Sequence, residues 1–129
     1  MTKDGKMIYA VDFDGTLSLG HCWPEAGEPN MPLFEFLKTE QAAGAKVILW
    51  TNRTGGLLMG AVEYCKHRGL IPDAVNENLQ EIIDLYGTDT RKISADCYID
   101  DKAINPIQNQ FLTVPIGFLF EQMKGKEQK

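Results

Sequence analysis

The stretch Met7-Ile8-Tyr9-Ala10-Val11-Asp12-Phe13-Asp14-Gly15-Thr16-Leu17 decides how this chain is read. An apolar run long enough for one buried strand stops abruptly at two carboxylates, a glycine and a hydroxyl. In an open α/β sheet, ligands bind in the crevice outside the carboxyl ends of the strands, so polar residues released there are placed for chemistry. Two acids one position apart can divide the work, one attacking or holding a metal while the other handles protons. Gly15 lets the chain turn sharply, and the Thr16 hydroxyl can pin the turn.

Outward from that stretch, strands and helices alternate. Ser18 to Asn30 is irregular, rich in Gly, Pro and Glu, and reads as a flap-like loop. A helix is expected next, with Asn30 as its cap, Pro32 in its first turn, Leu33, Phe34 and Leu37 facing inward, and Gly44 at its end. Lys46 to Trp50 reads as the second strand, with Trp50 packing inside it, and it delivers Thr51-Asn52-Arg53. Thr54 is a candidate cap for a second helix whose inner stripe is Leu57, Ala61 and Cys65, closed by Gly69. Asp73-Ala74-Val75 suggests a short third strand. Leu79, Ile82, Ile83 and Tyr86 have helical spacing that Gly87 stops. Ala95 to Ile99 is the fourth strand, ending in Asp100-Asp101. Ile116 to Leu119 is the expected fifth, and a charged tail from Lys124 is expected to fray. The pattern predicts a single α/β domain over 1–129, three-layered and Rossmann-like, around a central parallel sheet.

Composition sets the surroundings. At 129 residues the chain can bury roughly two-thirds of its surface around one core. Its 18 acids outnumber 13 bases, giving a formal charge of −5, so no global attraction to a nucleic-acid backbone is expected. Cys22, Cys65 and Cys97 are odd in number and scattered, which predicts reduced thiols and a cytoplasmic location. No apolar stretch approaches the ~20 residues of a membrane span, and Met1 to Lys6 run straight into the first strand, so neither membrane association nor a signal peptide is expected. His21 and Cys22 lack partners at metal spacing. Trp23, in the same loop, reads as a packing residue.

Three strand ends thus carry polar groups that a parallel sheet would bring to one edge: Asp12 and Asp14, Thr51 to Arg53, and Asp100 with Asp101, the last preceded by Arg91-Lys92. In that order they resemble the four motifs of the haloacid dehalogenase superfamily of phosphotransferases, over about Ile8 to Asp101. The resemblance rests mainly on Asp12-Phe13-Asp14-Gly15-Thr16-Leu17. It implies a Mg²⁺-dependent phosphatase that hydrolyses a phosphate monoester through an aspartyl-phosphate on Asp12. Asp14 would then be the general acid and base, and its carbonyl a metal ligand. Asp100 would ligate the metal directly, and Asp101 directly or through water. Thr51 would hydrogen-bond the transferred phosphoryl group, and Lys92, beside Arg91, would neutralise its charge. Asp14 also argues for phosphate rather than carbon–halogen chemistry, since the dehalogenase branch lacks it.

The intervals between the motifs leave no room for a large cap domain, and an open site suits a small substrate sealed by a second subunit or a phosphorylated nucleic-acid end. Arg53 lies where the polynucleotide 3′-phosphatase branch has an arginine, and with Asn52 it is a candidate for gripping substrate phosphate. The acidic charge favours a small phosphorylated substrate over nucleic acid, and homo-oligomerisation stays open. Two alternatives compete. A signalling receiver domain has its acids in a different order, and a phospho-ligand-binding protein without turnover would keep the same fold.

Overall fold

The computed structural model describes residues 1–20 and 22–106. The strands β1 (Ile8–Val11), β4 (Lys46–Leu49), β5 (Ala74–Val75) and β6 (Cys97–Ile99) form one parallel sheet in the order β5-β4-β1-β6. The strand carrying the two acids therefore lies inside the sheet, with the Thr51 strand on one side and the Asp100 strand on the other. The class is α/β, and the parallel sheet with its crossover helices is compatible with a Rossmann-like fold.

Alternation along β1 and β4 divides the core in two. Tyr9, Val11, Val47 and Leu49 face α1 (Met31–Ala42) and α2 (Gly55–His67), joining buried Phe34, Leu37, Ala61 and Cys65. Ile8, Ala10 and Ile48 face the opposite side, where they meet Ala74, Ile93 and, around α3 (Gln80–Tyr86), Leu79 and Ile82. The sheet is covered on both faces, so its strands read as continuous apolar runs. On the outer side of the first layer, the Tyr9 hydroxyl donates to the Glu40 carboxylate, which helps push the phenol up to about 12.

Helix ends follow the sequence in part. Asn30 caps α1, its side chain accepting from the Leu33 amide at 3.4 Å, with a proline in the first turn. Gly87 ends α3 in the left-handed conformation. Thr54 occupies the cap position of α2 but makes no side-chain cap bond.

Several expectations need correction. The loop after the acidic turn is not wholly irregular: β2 (Ser18–Leu19) pairs antiparallel with β3 (Glu28–Pro29), and the Ser18 hydroxyl accepts from the Gly27 amide at 2.7 Å. Trp50 does not pack within a strand. The strand ends at Leu49, and the indole is 36% exposed. Leu57 and Tyr86 had helical spacing but lie exposed, because Ala61–Cys65 and Leu79–Ile82 take the buried stripes. The expected fifth strand at Ile116 to Leu119, the tail from Lys124 and His21 lie outside the described residues. Among the described residues no helix is long and apolar enough to cross a membrane.

Candidate active site

The site is built at the carboxyl edge of the sheet, where β1 and β6 release their acids side by side. Backbone pairing sets the register: the Asp12 amide donates to the Ile99 carbonyl at 2.9 Å, which brings Asp12 next to Asp100. One carboxylate oxygen from each of Asp12, Asp100 and Asp101 lies within 4.8 Å of the others. Asp12 is half-buried, whereas Asp100 and Asp101 are exposed.

The turn after β1 locks this cluster. Phe13 accepts backbone bonds from the amides of Thr16 and Ser18 at 3.2 and 2.9 Å, and the Gly15 amide donates to the Ser18 carbonyl at 2.8 Å. Gly15 has φ +81°, and a Cβ there would come within 2.5 Å of an Asp101 carboxylate oxygen. A side chain is therefore excluded both by conformation and by the approach of Asp101. Buried Thr16 bridges the two strands: its hydroxyl donates to Asp12 at 3.4 Å and accepts from the Asp101 amide at 3.2 Å. The Gly-Thr pair thus joins the first acid to the last.

Electrostatics follow from this crowding. Burial is the largest cause that pushes the Asp12 carboxyl from 3.8 up to about 6. Asp100, Asp101 and Asp14 add to the rise, and a hydrogen bond from the Phe13 amide opposes it. Three carboxylates within reach of one another form an all-oxygen donor set whose mutual repulsion a hard divalent cation would relieve. The residues present fit Mg²⁺ chemically.

The rims carry the cations. Lys92 lines a cleft of about 270 Å³ together with Asp12, Asp100, Trp50 and Tyr98. Its ammonium lies 5.4 Å from the centre of the Tyr98 ring. On the opposite rim, Asp14 and Asn52 share a second cleft of about 380 Å³ with Trp23, Asp101 and Lys102. Thr51 is half-buried, its hydroxyl oxygen accepting from the Arg53 amide at 3.2 Å, and among the described residues its hydroxyl hydrogen makes no hydrogen bond.

Arg53 differs from expectation. It is 3% exposed, and its guanidinium makes a two-pronged contact with Asp14, Nε to Oδ2 at 2.9 Å and one terminal nitrogen to Oδ1 at 2.8 Å. The same terminal nitrogen donates to the Glu25 carbonyl at 3.2 Å, and the Phe13 and Trp23 rings lie 4.9 Å from the guanidinium carbon. The Asp14 hydrogen bonds raise its already high pKa further, against the opposing effect of burial. Arg53 therefore ties the hairpin loop to Asp14, with its guanidinium buried rather than facing solvent. Trp23 packs against it on one side and remains 58% exposed.

Sequence reasoning passed over three contributors. Asn76, at φ +54°, accepts from the Thr51 amide at 2.8 Å and donates to the Arg53 carbonyl at 3.4 Å, so it shapes the Thr51–Arg53 turn. Asn78 and Tyr98 hold the segment that carries Lys92. The signal available was a pair of asparagines flanking Glu77 just after a strand, where asparagine serves turns and left-handed backbone.

Fold and site together define an α/β protein with a carboxylate cluster at the carboxyl edge of its parallel sheet. A solved structure of a conserved protein from Bacteroides thetaiotaomicron is 36% identical to this chain, covering 94% of it and 92% of that chain, with a TM-score of 0.67. At that identity and coverage, the chain belongs to the same family as that protein. No protein-family model matches the chain, and no curated protein does.

Proposed function

We propose that the protein is a Mg²⁺-dependent phosphatase of the haloacid dehalogenase type, without a large cap domain, acting in the cytoplasm on a small phosphorylated substrate. The observation that carries this reading is the convergence of Asp12, Asp100 and Asp101 within 4.8 Å beside a lysine-rimmed cleft. Asp12, the Asp14 carbonyl, Asp100 and Asp101 would hold the ion, which when bound offsets the repulsion between carboxylates and a phosphate dianion.

The residues then divide the work. The Asp12 carboxylate attacks phosphorus, forming an aspartyl-phosphate as the ester oxygen leaves. Asp14 supplies a proton to that oxygen and later takes one from the water that cleaves the acyl phosphate, restoring Asp12 and releasing inorganic phosphate. The Thr51 hydroxyl donates to a phosphoryl oxygen, and the Lys92 ammonium faces the charge from the other rim. Arg53 acts through Asp14, which it must release in part for the carboxylate to reach a leaving group. Nucleic-acid ends have less support in this reading than small phosphates, since the arginine that suggested them is occupied by Asp14.

The same two-pronged pairing favours one competing reading, a phospho-ligand-binding protein in which Asp14 stays bound to Arg53 and no turnover occurs. Hydrolysis of p-nitrophenyl phosphate in Mg²⁺, lost in chelator and in Asp12→Asn, is the expected result for the enzyme. Phosphate binding with no hydrolysis across sugar, nucleotide and aryl phosphates would favour the binder.

A further inference from the structure

The Lys92 segment lacks the support that regular structure gives the other site residues. Between α3 and β6 the chain over 88–96 forms neither helix nor strand. Something else must hold a flexible, exposed lysine at the edge of the Asp12 cleft, or its charge would be spread over many positions.

Two residues outside that segment do so. Asn78, at 2% exposure, spends its whole side chain on it. Its amide nitrogen donates to the Asp89 carboxylate at 2.7 Å and to the Thr90 carbonyl and hydroxyl at 3.2 and 3.3 Å. Its oxygen accepts from the Ser94 amide at 2.7 Å. The anchor points thus sit three and two residues before Lys92 and two residues after it. The Thr90 hydroxyl in turn donates to the Lys92 carbonyl at 2.9 Å.

Tyr98 holds from the sheet side. Its hydroxyl donates to the Ile93 carbonyl at 2.5 Å and accepts from the Ala95 amide at 3.4 Å. Its ring lies beneath the Lys92 ammonium. Because Tyr98 is in β6, two residues before Asp100, the strand that delivers the acid also carries the support for the lysine.

A buried asparagine is a costly way to fill space, since its amide must be fully bonded to be tolerated. What a satisfied polar network does well is specify one conformation. We propose that Asn78 and Tyr98 are positioning residues that fix the Lys92 segment so that its ammonium faces the Asp12 cleft, an inference that rests on reading Lys92 as the cation facing the phosphoryl group.

A double-mutant cycle in the full-length chain tests this. Tyr98→Phe keeps the ring and removes the hydroxyl; Asn78→Ser removes the amide; each is made alone and with Lys92→Ala. Two readouts are taken in Mg²⁺: kcat/KM on p-nitrophenyl phosphate, and affinity for tungstate as a phosphate mimic, which needs no turnover. Each single variant is expected to lose about tenfold in both readouts, and the loss is expected to vanish when Lys92 is already alanine. A loss of the same size in both backgrounds, or no loss in either, would overturn the proposal, since a merely structural role does not depend on Lys92. Should Asn78→Ser fail to fold, Tyr98→Phe carries the cycle alone. If Lys92→Ala itself matches wild type in both readouts, the positioning proposal falls; the phosphatase reading is judged separately, and falls if the wild-type protein in Mg²⁺ does not hydrolyse the ester.

Discussion

Arg53 and Lys92 flank the same group of carboxylates and have opposite fates. Arg53 is buried between two rings, with its fork closed on Asp14 and a further hydrogen bond to the Glu25 carbonyl. Lys92 is exposed, and among the described residues its ammonium rests against the face of Tyr98. A planar guanidinium with fixed donors suits a permanent structural pairing, whereas an ammonium on a flexible stem can swing to a ligand and back. The contrast teaches that charge type near a site does not by itself identify a substrate contact. What matters is whether the donors are already used.

The acid common to the carboxylate cluster and the Lys92 cleft should show the largest effect. Asp12→Asn is expected to abolish turnover of p-nitrophenyl phosphate, because the amide neither attacks phosphorus nor draws a cation. Single-turnover measurements would check it. Activity near wild type in this variant would mean that water attacks directly and that the nucleophile lies elsewhere.

Exchanging the two cations' roles is the next way to break the comparison. Lys92→Ala should lower kcat/KM by roughly 10²–10³, the scale of removing one preorganised donor to developing charge, while surface substitutions of this kind shift stability by less than ~0.5 kcal/mol. Arg53→Ala should do the reverse in stability, costing about 1–3 kcal/mol by chemical denaturation. That range is below the loss for a fully buried pair, because Asp14 is 37% exposed and solvent screens it. Arg53→Lys should recover only part, since it restores the charge but not the fork. A large activity loss in Arg53→Lys with unchanged stability would return Arg53 to the substrate.

A smaller effect, read in pH, sharpens the picture of the carboxylate cluster. Asp12 titrates near 6 when folded against an ordinary 3.8, so the folded state binds the extra proton between those values. The stability linked to that proton is fully present below about pH 4 and is lost as pH rises through about 6. In chelator, wild type should therefore lose about 2 kcal/mol relative to Asp12→Asn between pH 4 and 7. Mg²⁺ should stabilise wild type more at pH 7.5 than at pH 5, since the ion and the proton compete for the same oxygens. A pH-independent gap between the two proteins would show that Asp12 is not held in a crowded, desolvated position.

How much of this was legible in the sequence depends on the range of the cause. The strand running into Asp12, the cap at Asn30 and the Gly87 stop are local, and their residues say so. The gathering of Asp12, Asp100 and Asp101 followed from strand ends sharing one edge of a parallel sheet. The pairing of Arg53 with Asp14 was not legible because the two are 39 positions apart, and no spacing rule couples a helix start to an acid in another turn. The β2–β3 hairpin was missed because two-residue strands have no periodicity to detect. Asn78 went unnoticed, since burial of a single polar side chain leaves no pattern in its neighbours.

The smallest predicted effect separates two caps that look equivalent in sequence. Asn30 and Thr54 each precede a helix, and both residue types favour the cap position. Asn30 accepts from the Leu33 amide and also donates to the Thr16 carbonyl at 3.0 Å, so it ties α1 to the turn that locks the acids. Thr54 has extended backbone, no side-chain bond to its helix, and an exposed position. Asn30→Ala should then cost ~1–2 kcal/mol, and Thr54→Ala no more than ~0.5 kcal/mol. Because Thr16 contacts both Asp12 and Asp101, Asn30→Ala should also weaken Mg²⁺ binding, whereas Thr54→Ala should leave it unchanged. Equal stability losses at the two positions, measured by urea unfolding, would show that the helix start beside Arg53 is capped after all and that the rim bearing Arg53 is less completely satisfied than its hydrogen bonds indicate.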